Sequence, residues 1–343
     1  MRIVIPSVQV PFITGGATFH INNLKAAIQK HGHQVEIITF PFKFFPENYI
    51  EDLMNYCQKQ DFTDFNGYSI DKVIALQFPA YYVKHPNKTL WIMHQHRVVY
   101  DLYNKVPHTS QLSNLKEKIF YFDNQEFSTH KIIYTNSKNI SNRLKKYNNI
   151  TYTKPLYHPP SNIDRFYNDI PQKYIFYPSR LEELKRQDLL IKAMQYTKTP
   201  LIALIAGTGG QYDNYNNLIR KLNLSHKVKL LGYISDKEKY KLYAESLAVV
   251  FPPYDEDYGY VTLEAMLSSK PVLTCSDSGG VLEFVEDTRT GFIVPPDPKE
   301  LAQKIDWFYY NKTKAIDMGL EAKKLYEQKD ISWDSVVNTL LGS

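Results

Sequence analysis

Apolar runs one strand long recur along this chain with helical spacing between them, and the whole series occurs twice. RIVIPSV, helical spacing through Leu24, Ala27 and Ile28, and QVEIITF open the first series. It continues through DKVIALQ, TLWIMH and KIIYTNS, with helical stretches over 112–122 and 139–147. Buried β-rich runs joined by helical crossovers predict a parallel sheet covered on both faces. Two prolines break the pattern at Tyr157-His-Pro-Pro-Ser. It restarts with KYIFYPS, PLIALIAG, KVKLLGY, LAVVFPP, PVLTCS and TGFIVPP, interleaved with helices over 188–195, 216–222, 237–244 and 260–268. Two α/β domains are expected, with a cleft between them: residues 1–158, a linker over 159–172, residues 173–325, and a terminal helix over 326–343. On that helix Trp333, Val336, Val337, Leu340 and Leu341 form one apolar face.

No run approaches the roughly 18 to 20 apolar residues of a membrane span, and the amino terminus lacks the apolar core and cleavage site of a signal peptide. Cys57 and Cys275 stand in different halves without C-x-x-C spacing, as expected of thiols in a reducing compartment, so the expected location is cytoplasmic. Charge is uneven: residues 1–165 carry 19 Lys+Arg against 12 Asp+Glu, a net +7, and the remainder 22 against 24, a net −2. A basic first half favours an anionic partner such as a phospholipid surface or a lipid pyrophosphate, although the same balance also serves solubility alone. That points to a peripheral position at the inner face of a membrane.

The chemistry-bearing residues cluster where strands end. In VVFPPYDEDYGYVTLEAMLSSKP a strand stops at Pro252-Pro253, an acidic loop carries Glu256, and a helix starting near Gly259 carries Glu264. A helix amino terminus offers unpaired N–H groups and the positive end of a dipole to a phosphate, while carboxylates on either side accept hydrogen bonds from sugar hydroxyls. Arg180 and Lys185 follow the first strand of the second half, in position to neutralise a pyrophosphate; a surface ion-pair set with Glu182 and Glu183 is the alternative. Gly207-Thr-Gly-Gly and Ser278-Gly-Gly follow other strands and either admit a ligand to the backbone or make turns. Gly15-Gly16 precedes the first helix but is not G-x-G-x-x-G, which argues against a dinucleotide oxidoreductase. His94 and His96 end an apolar strand, and alternation predicts that both point to one side; no H-E-x-x-H or cysteine partner makes them a metal site.

Taken in order, Gly15-Gly16, His31-Gly-His-Gln-Val35, the histidine after TLWIM, Arg180 with Lys185, Glu256-Asp-Tyr-Gly-Tyr-Val-Thr-Leu-Glu264-Ala-Met, Gly279-Gly280 with Glu283, and Thr290-Gly-Phe-Ile-Val294 resemble the family 4 retaining glycosyltransferases of the GT-B fold. The resemblance spans nearly the whole chain and rests most on the E-x7-E segment. It implies an α/β GT-B architecture of two Rossmann-like parallel-sheet domains, the first on the acceptor side and the second holding the donor, with the terminal helix crossing back to the first. It implies transfer of a hexose from GDP-mannose or a UDP-hexose, with retention and without metal or other cofactor, onto a saccharide, in particular a lipid-linked polysaccharide or glycolipid precursor. A small soluble acceptor, or a noncatalytic nucleotide-sugar binding protein, are the alternatives; nucleic acid is not an expected partner. Carried over residue by residue, Glu264 holds the ribose, Glu256 a hydroxyl of the transferred sugar, and Arg180 with Lys185 the pyrophosphate. The backbone at Tyr258, Gly259, Tyr260 and Val261 touches sugar and phosphate, Gly207 lies beside the donor, Gly232 and Ile234 border the base, His94 faces the sugar, and Gly15 and Gly16 lie near phosphate or acceptor. Two departures stand out: Arg186 follows Lys185 where the family has glycine, and Gln95 follows His94 where Asp is common. The second leaves open whether His94 or His96 makes the contact.

Overall fold

A computed structural model describes residues 1–13 and 15–342. The chain forms two compact units, Met1–His158 with the segment from Ser332 onward, and Pro159–Ile331. The first is built on β1 (Arg2–Gln9), β2 (Gln34–Pro41), a two-residue-per-strand hairpin of β3 (Asp64–Phe65) and β4 (Tyr68–Ser69), then β5 (Lys72–Gln77), β6 (Lys88–His94), β7 (Ile133–Thr135) and β8 (Thr153–Pro155). Apart from the hairpin these make one parallel sheet in the order β2-β1-β5-β6-β7-β8. Its helices are α1 (Gly16–Lys30), α2 (Glu47–Lys59), α3 (Ser110–Ser128) and α4 (Lys138–Asn148). The central strands β5 and β6 are apolar on both faces because helices cover both.

The second unit repeats the plan with β9 (Tyr174–Pro178), α5 (Gln187–Ala193), β10 (Ile202–Ala206), α6 (Tyr212–Lys221), β11 (Val228–Gly232), α7 (Asp236–Glu245), β12 (Ala248–Val250), α8 (Tyr260–Leu267), β13 (Val272–Cys275), β14 (Gly291–Val294), α9 (Pro298–Tyr310) and α10 (Lys312–Gln328). All pairings are parallel, in the order β11-β10-β9-β12-β13-β14. The strand order reverses between β9 and β12, and in open α/β sheets such a switch point opens a crevice at the carboxyl ends of the strands. The loops that follow β9 and β12 are those that carry Arg180, Lys185 and Glu256.

Two boundaries differ from expectation. Residues 159–172, read as a linker, pack on the second unit: Phe166 is buried in its core, and the Asp169 and Gln172 amides donate to the Ala244 and Glu245 carbonyls. The prolines end one sheet, but the aromatic residue behind them has a core to enter. The terminal segment 326–343 is not one helix. α10 runs on to Gln328, Asp330 breaks it with φ 46°, and α11 (Trp333–Leu341) starts anew on a Ser332 cap. Ser343 lies outside the described residues. α11 belongs to the first unit, where Val336, Val337 and Leu340 are buried among Ile3, Leu24, Ile28 and Trp91. No helix among the described residues is long and apolar enough to cross a membrane.

Candidate functional site

In the second unit the β9 and β10 loops are fitted to each other by glycine. A Cβ on Gly207, at φ 138°, would lie 2.0 Å from the Ser179 carbonyl oxygen, and one on Gly209 would lie 2.4 Å from that of Leu181. The Leu181 amide donates to Thr208 and the Gln211 amide to Leu181. Gly207 therefore makes room for the backbone that presents Arg180, a close approach of loop to loop that the sequence reading did not include. Arg180 itself is half exposed, with Glu182 3.9 Å away. Such a loose surface pair contributes little to stability and leaves the guanidinium available.

Lys185 is placed differently. Its ammonium Nζ lies 2.5 Å from Glu256 Oε2, and both side chains are about four-fifths covered. The buried Tyr177 hydroxyl donates to the Lys185 carbonyl, and the Tyr254 amide donates to Leu184. The second basic residue of the β9 loop and the first glutamate of the E-x7-E segment thus form one ion pair at the switch point. A close pair of this kind can open toward an anion on the lysine side and a hydroxyl on the carboxylate side.

Gly259, at φ 88°, caps the amino end of α8 without a side-chain hydrogen bond, and a Cβ there would meet Val281 at 2.8 Å. The turn therefore needs glycine, and it leaves the amides of the first turn, including Tyr260 and Val261, in the orientation that suits an anion. Tyr258 is buried against Phe284 and Tyr260. One turn along, Glu264 accepts from the Tyr243 hydroxyl at 2.7 Å and from Lys239 Nζ at 3.2 Å. Burial, reinforced by the Glu264 charge, raises the Tyr243 phenol well above its ordinary value, so it remains a donor. Two oxygens held from one side keep lone pairs for further hydroxyls. Sequence pattern misses Tyr243 and Lys239, because only the packing of α7 on α8 brings them to Glu264. Gly232, at φ 67°, ends β11 with open space around it, and Ile234 follows on the next loop, half-buried.

In the first unit β6 ends at His94, so the expected alternation through His96 does not hold. His96 turns inward: its ring stacks on Phe78 at 5.2 Å and approaches Phe42 at 6.4 Å. Burial, and then the neighbouring His94, lower its pKa to about 4. His94 stays half-buried with Nδ1 3.2 Å from the Gln95 carbonyl, which makes it the more available of the two. Gly15, extended at φ −170°, precedes α1, and Gly16 is its first residue. Among the described residues no three His, Cys, Asp or Glu side chains gather as metal ligands would.

Residues 161–325 match the sequence model of the family described as glycosyl transferases group 1. The chain is 26% identical to the uncharacterized glycosyltransferase MJ1178 of Methanocaldococcus jannaschii, over 98% of this chain and 96% of that one. It is 30% identical to MJ1607 of the same organism over 48% of this chain, and 31% identical to human alpha-1,3/1,6-mannosyltransferase ALG2 over 34%. Those two matches span only 43% and 28% of the relatives' lengths. Among solved structures, the sucrose-phosphate synthase of Thermosynechococcus elongatus superposes with a TM-score of 0.77 at 17% identity, covering 99% of this chain and 97% of the other. Anabaena HepE in complex with UDP and glucose gives 0.72 at 19% identity, covering 98% of each. The fold is GT-B, with two parallel-sheet units of six strands each.

Proposed function

We propose that this protein is a retaining glycosyltransferase that moves a hexose from a nucleoside diphosphate sugar to a saccharide, without a metal ion. The observation that carries the reading is that the two loops at the switch point, after β9 and β12, carry Arg180, the Lys185–Glu256 pair and the glycine-capped amino end of α8, with Glu264 a turn further along. Breaking the anomeric C–O bond leaves negative charge on the departing phosphate. Arg180, Lys185 and the α8 amides are assigned to stabilise it, as fixed cations and dipoles do when they need not reorganise. Glu264 is assigned to the ribose hydroxyls, Glu256 to a hydroxyl of the sugar, and the backbone at Gly232 and Ile234 to the base. His94, Gly15 and Gly16 are assigned to substrate contacts of the first unit. Retention and the passage of the acceptor proton to the leaving phosphate rest on the family resemblance; the two glutamates are not a glycosidase pair. HepE was crystallised with UDP and ALG2 is named a mannosyltransferase, so UDP and GDP are the nucleotides to test. Either should raise the melting temperature at saturation, and transfer should persist in EDTA. Loss of transfer in EDTA with recovery on Mn²⁺ would overturn the metal-free mechanism.

A lipid-linked acceptor is supported by the first unit's surface. Phe12 leaves β1 and Phe44 and Phe45 leave β2, two paired strands, and all three residues are exposed. Exposed aromatic groups on neighbouring loops, in the half of the chain with the +7 excess, suit an anionic lipid surface. The protein should sediment with anionic vesicles at low salt and release at about 0.5 M, where screening is strong. Replacing the three phenylalanines with serine should abolish the sedimentation. Equal sedimentation with neutral vesicles would point to a soluble acceptor.

A further inference from the structure

Arg186 is held in a conformation that its side chain must compensate. It lies in the left-handed region at φ 55°, ψ 41°, between the turn carrying Lys185 and helix α5. Glycine takes that conformation freely and a residue with a Cβ does not. The guanidinium shows what is gained. Nε donates to the Pro252 carbonyl at 2.7 Å, and Nη2 donates to that of Pro253 at 2.8 Å. Nη1 and Nη2 donate to the two oxygens of Asp277 at 2.9 and 2.7 Å. One side chain therefore spans the loops that follow β9, β12 and β13.

Those loops are also stitched by backbone, since the Asp255 amide donates to the Asp277 carbonyl at 2.9 Å, Glu256 to Ser278 at 3.2 Å and Gly280 to Glu256 at 2.7 Å. Lys185 is the residue before Arg186, and Glu256 lies three residues beyond Pro253. The distance between the partners of the Lys185–Glu256 pair is therefore set by the segments that Arg186 joins.

We infer that Arg186 and Asp277 form a positioning clamp that holds Lys185 and Glu256 in register. The inference rests on the reading of those two residues as part of the donor site. It requires the planar fork: four bonds in two directions exceed what a lysine ammonium can reach with the same geometry, so charge alone does not replace it.

Arg186→Gly removes the guanidinium and also relieves the backbone, so a loss in this variant is not due to left-handed strain. Hydrogen exchange on the full chain reads the Asp255, Glu256 and Gly280 amides directly. The expected result for Arg186→Gly is exchange at least about tenfold faster at these amides. Turnover should fall by about tenfold or more, with UDP and GDP affinity within about threefold of the parent. Asp277→Ala should match it, the double variant should lose little more than either single one, and Arg186→Lys should not restore turnover. Unchanged exchange in Arg186→Gly, or a double variant whose loss is the product of the two singles, would overturn the clamp. If instead the parent binds neither UDP nor GDP and Glu256→Gln leaves transfer intact, the donor-site reading falls, and the exchange result still decides whether the clamp exists.

Discussion

The two units share an architecture, and two polar groupings within them, the Asp123 network of the first and the site ion pairs of the second, are placed differently. In the first, the central carboxylate is sealed inside: Asp123 is fully buried and accepts from the hydroxyls of Tyr81, Tyr82 and Tyr100 at 2.7, 2.6 and 2.6 Å. In the second, carboxylates meet cations where strands end, as in Lys185–Glu256 and Arg186–Asp277, and inside α8, as in Lys239–Glu264. Buried hydrogen-bond networks fix one packing of a core, whereas partly exposed ion pairs fix loops while leaving charge within reach of a ligand. Substitutions in the buried Asp123 network should therefore show as lost stability, and those at the second unit's site pairs as lost chemistry.

The largest effect that would test this contrast is Asp123→Ala. Three phenolic donors would lose their acceptor in the interior at about 1–3 kcal/mol each, discounted for relaxation, so a loss of about 4 kcal/mol in the first unit is expected. Urea unfolding in a Trp307→Phe background reads this unit alone, since Trp91 and Trp333 lie in it. Affinity of the folded protein for UDP or GDP should not change. A variant as stable as the parent would show that the network is not what holds this core.

The converse is Lys185→Ala or Arg180→Ala, expected to reduce transfer by about 10²-fold with unfolding little altered. Glu264→Ala should instead lose nucleotide affinity. If Arg180→Ala kept transfer within about threefold of the parent, the charge arrangement after β9 would not be catalytic.

This contrast was only partly open to sequence reading. The parallel sheets, the E-x7-E loop and the position of Gly259 were legible because each depends on local period or on a backbone turn. α1 was also readable from the spacing of Leu24, Ala27 and Ile28. The partners of the site carboxylates were not legible. Tyr243 is 21 residues from Glu264 and Asp277 is 91 from Arg186, so only the packed loops bring them together. The inward turn of His96 was hidden for a related reason: alternation holds only while a strand lasts, and β6 stops at His94.

The smallest expected effect is on acid stability, where groups within the first unit oppose one another. Burial lowers His96 from 6.5 to about 4, with His94 adding to the shift, and burial followed by His158 lowers His20 well below 6.5. Burial raises Asp123 from 3.8 to about 6, against the pull of its tyrosine hydrogen bonds. As pH falls from 6.5 toward 4, unfolded chains protonate both histidines while the folded unit keeps them neutral, so their contribution to stability is lost with acidification. Asp123 works the other way: the folded carboxyl takes its proton near pH 6 and the unfolded one near 3.8, so its contribution is present in acid and lost as pH rises through about 6. The shifts of His96 and Asp123 each amount to about 3 kcal/mol at most, so these two nearly cancel and His20 decides the sign. Stability of the first unit should therefore fall modestly between pH 6.5 and 4.5. Asp123→Asn, which removes the opposing group, should steepen that fall, and His20→Phe should flatten it. Urea midpoints from Trp91 and Trp333 fluorescence at the two pH values give the measurement, and a parent that gains stability in acid would show that Asp123, not the histidine pair, governs this unit.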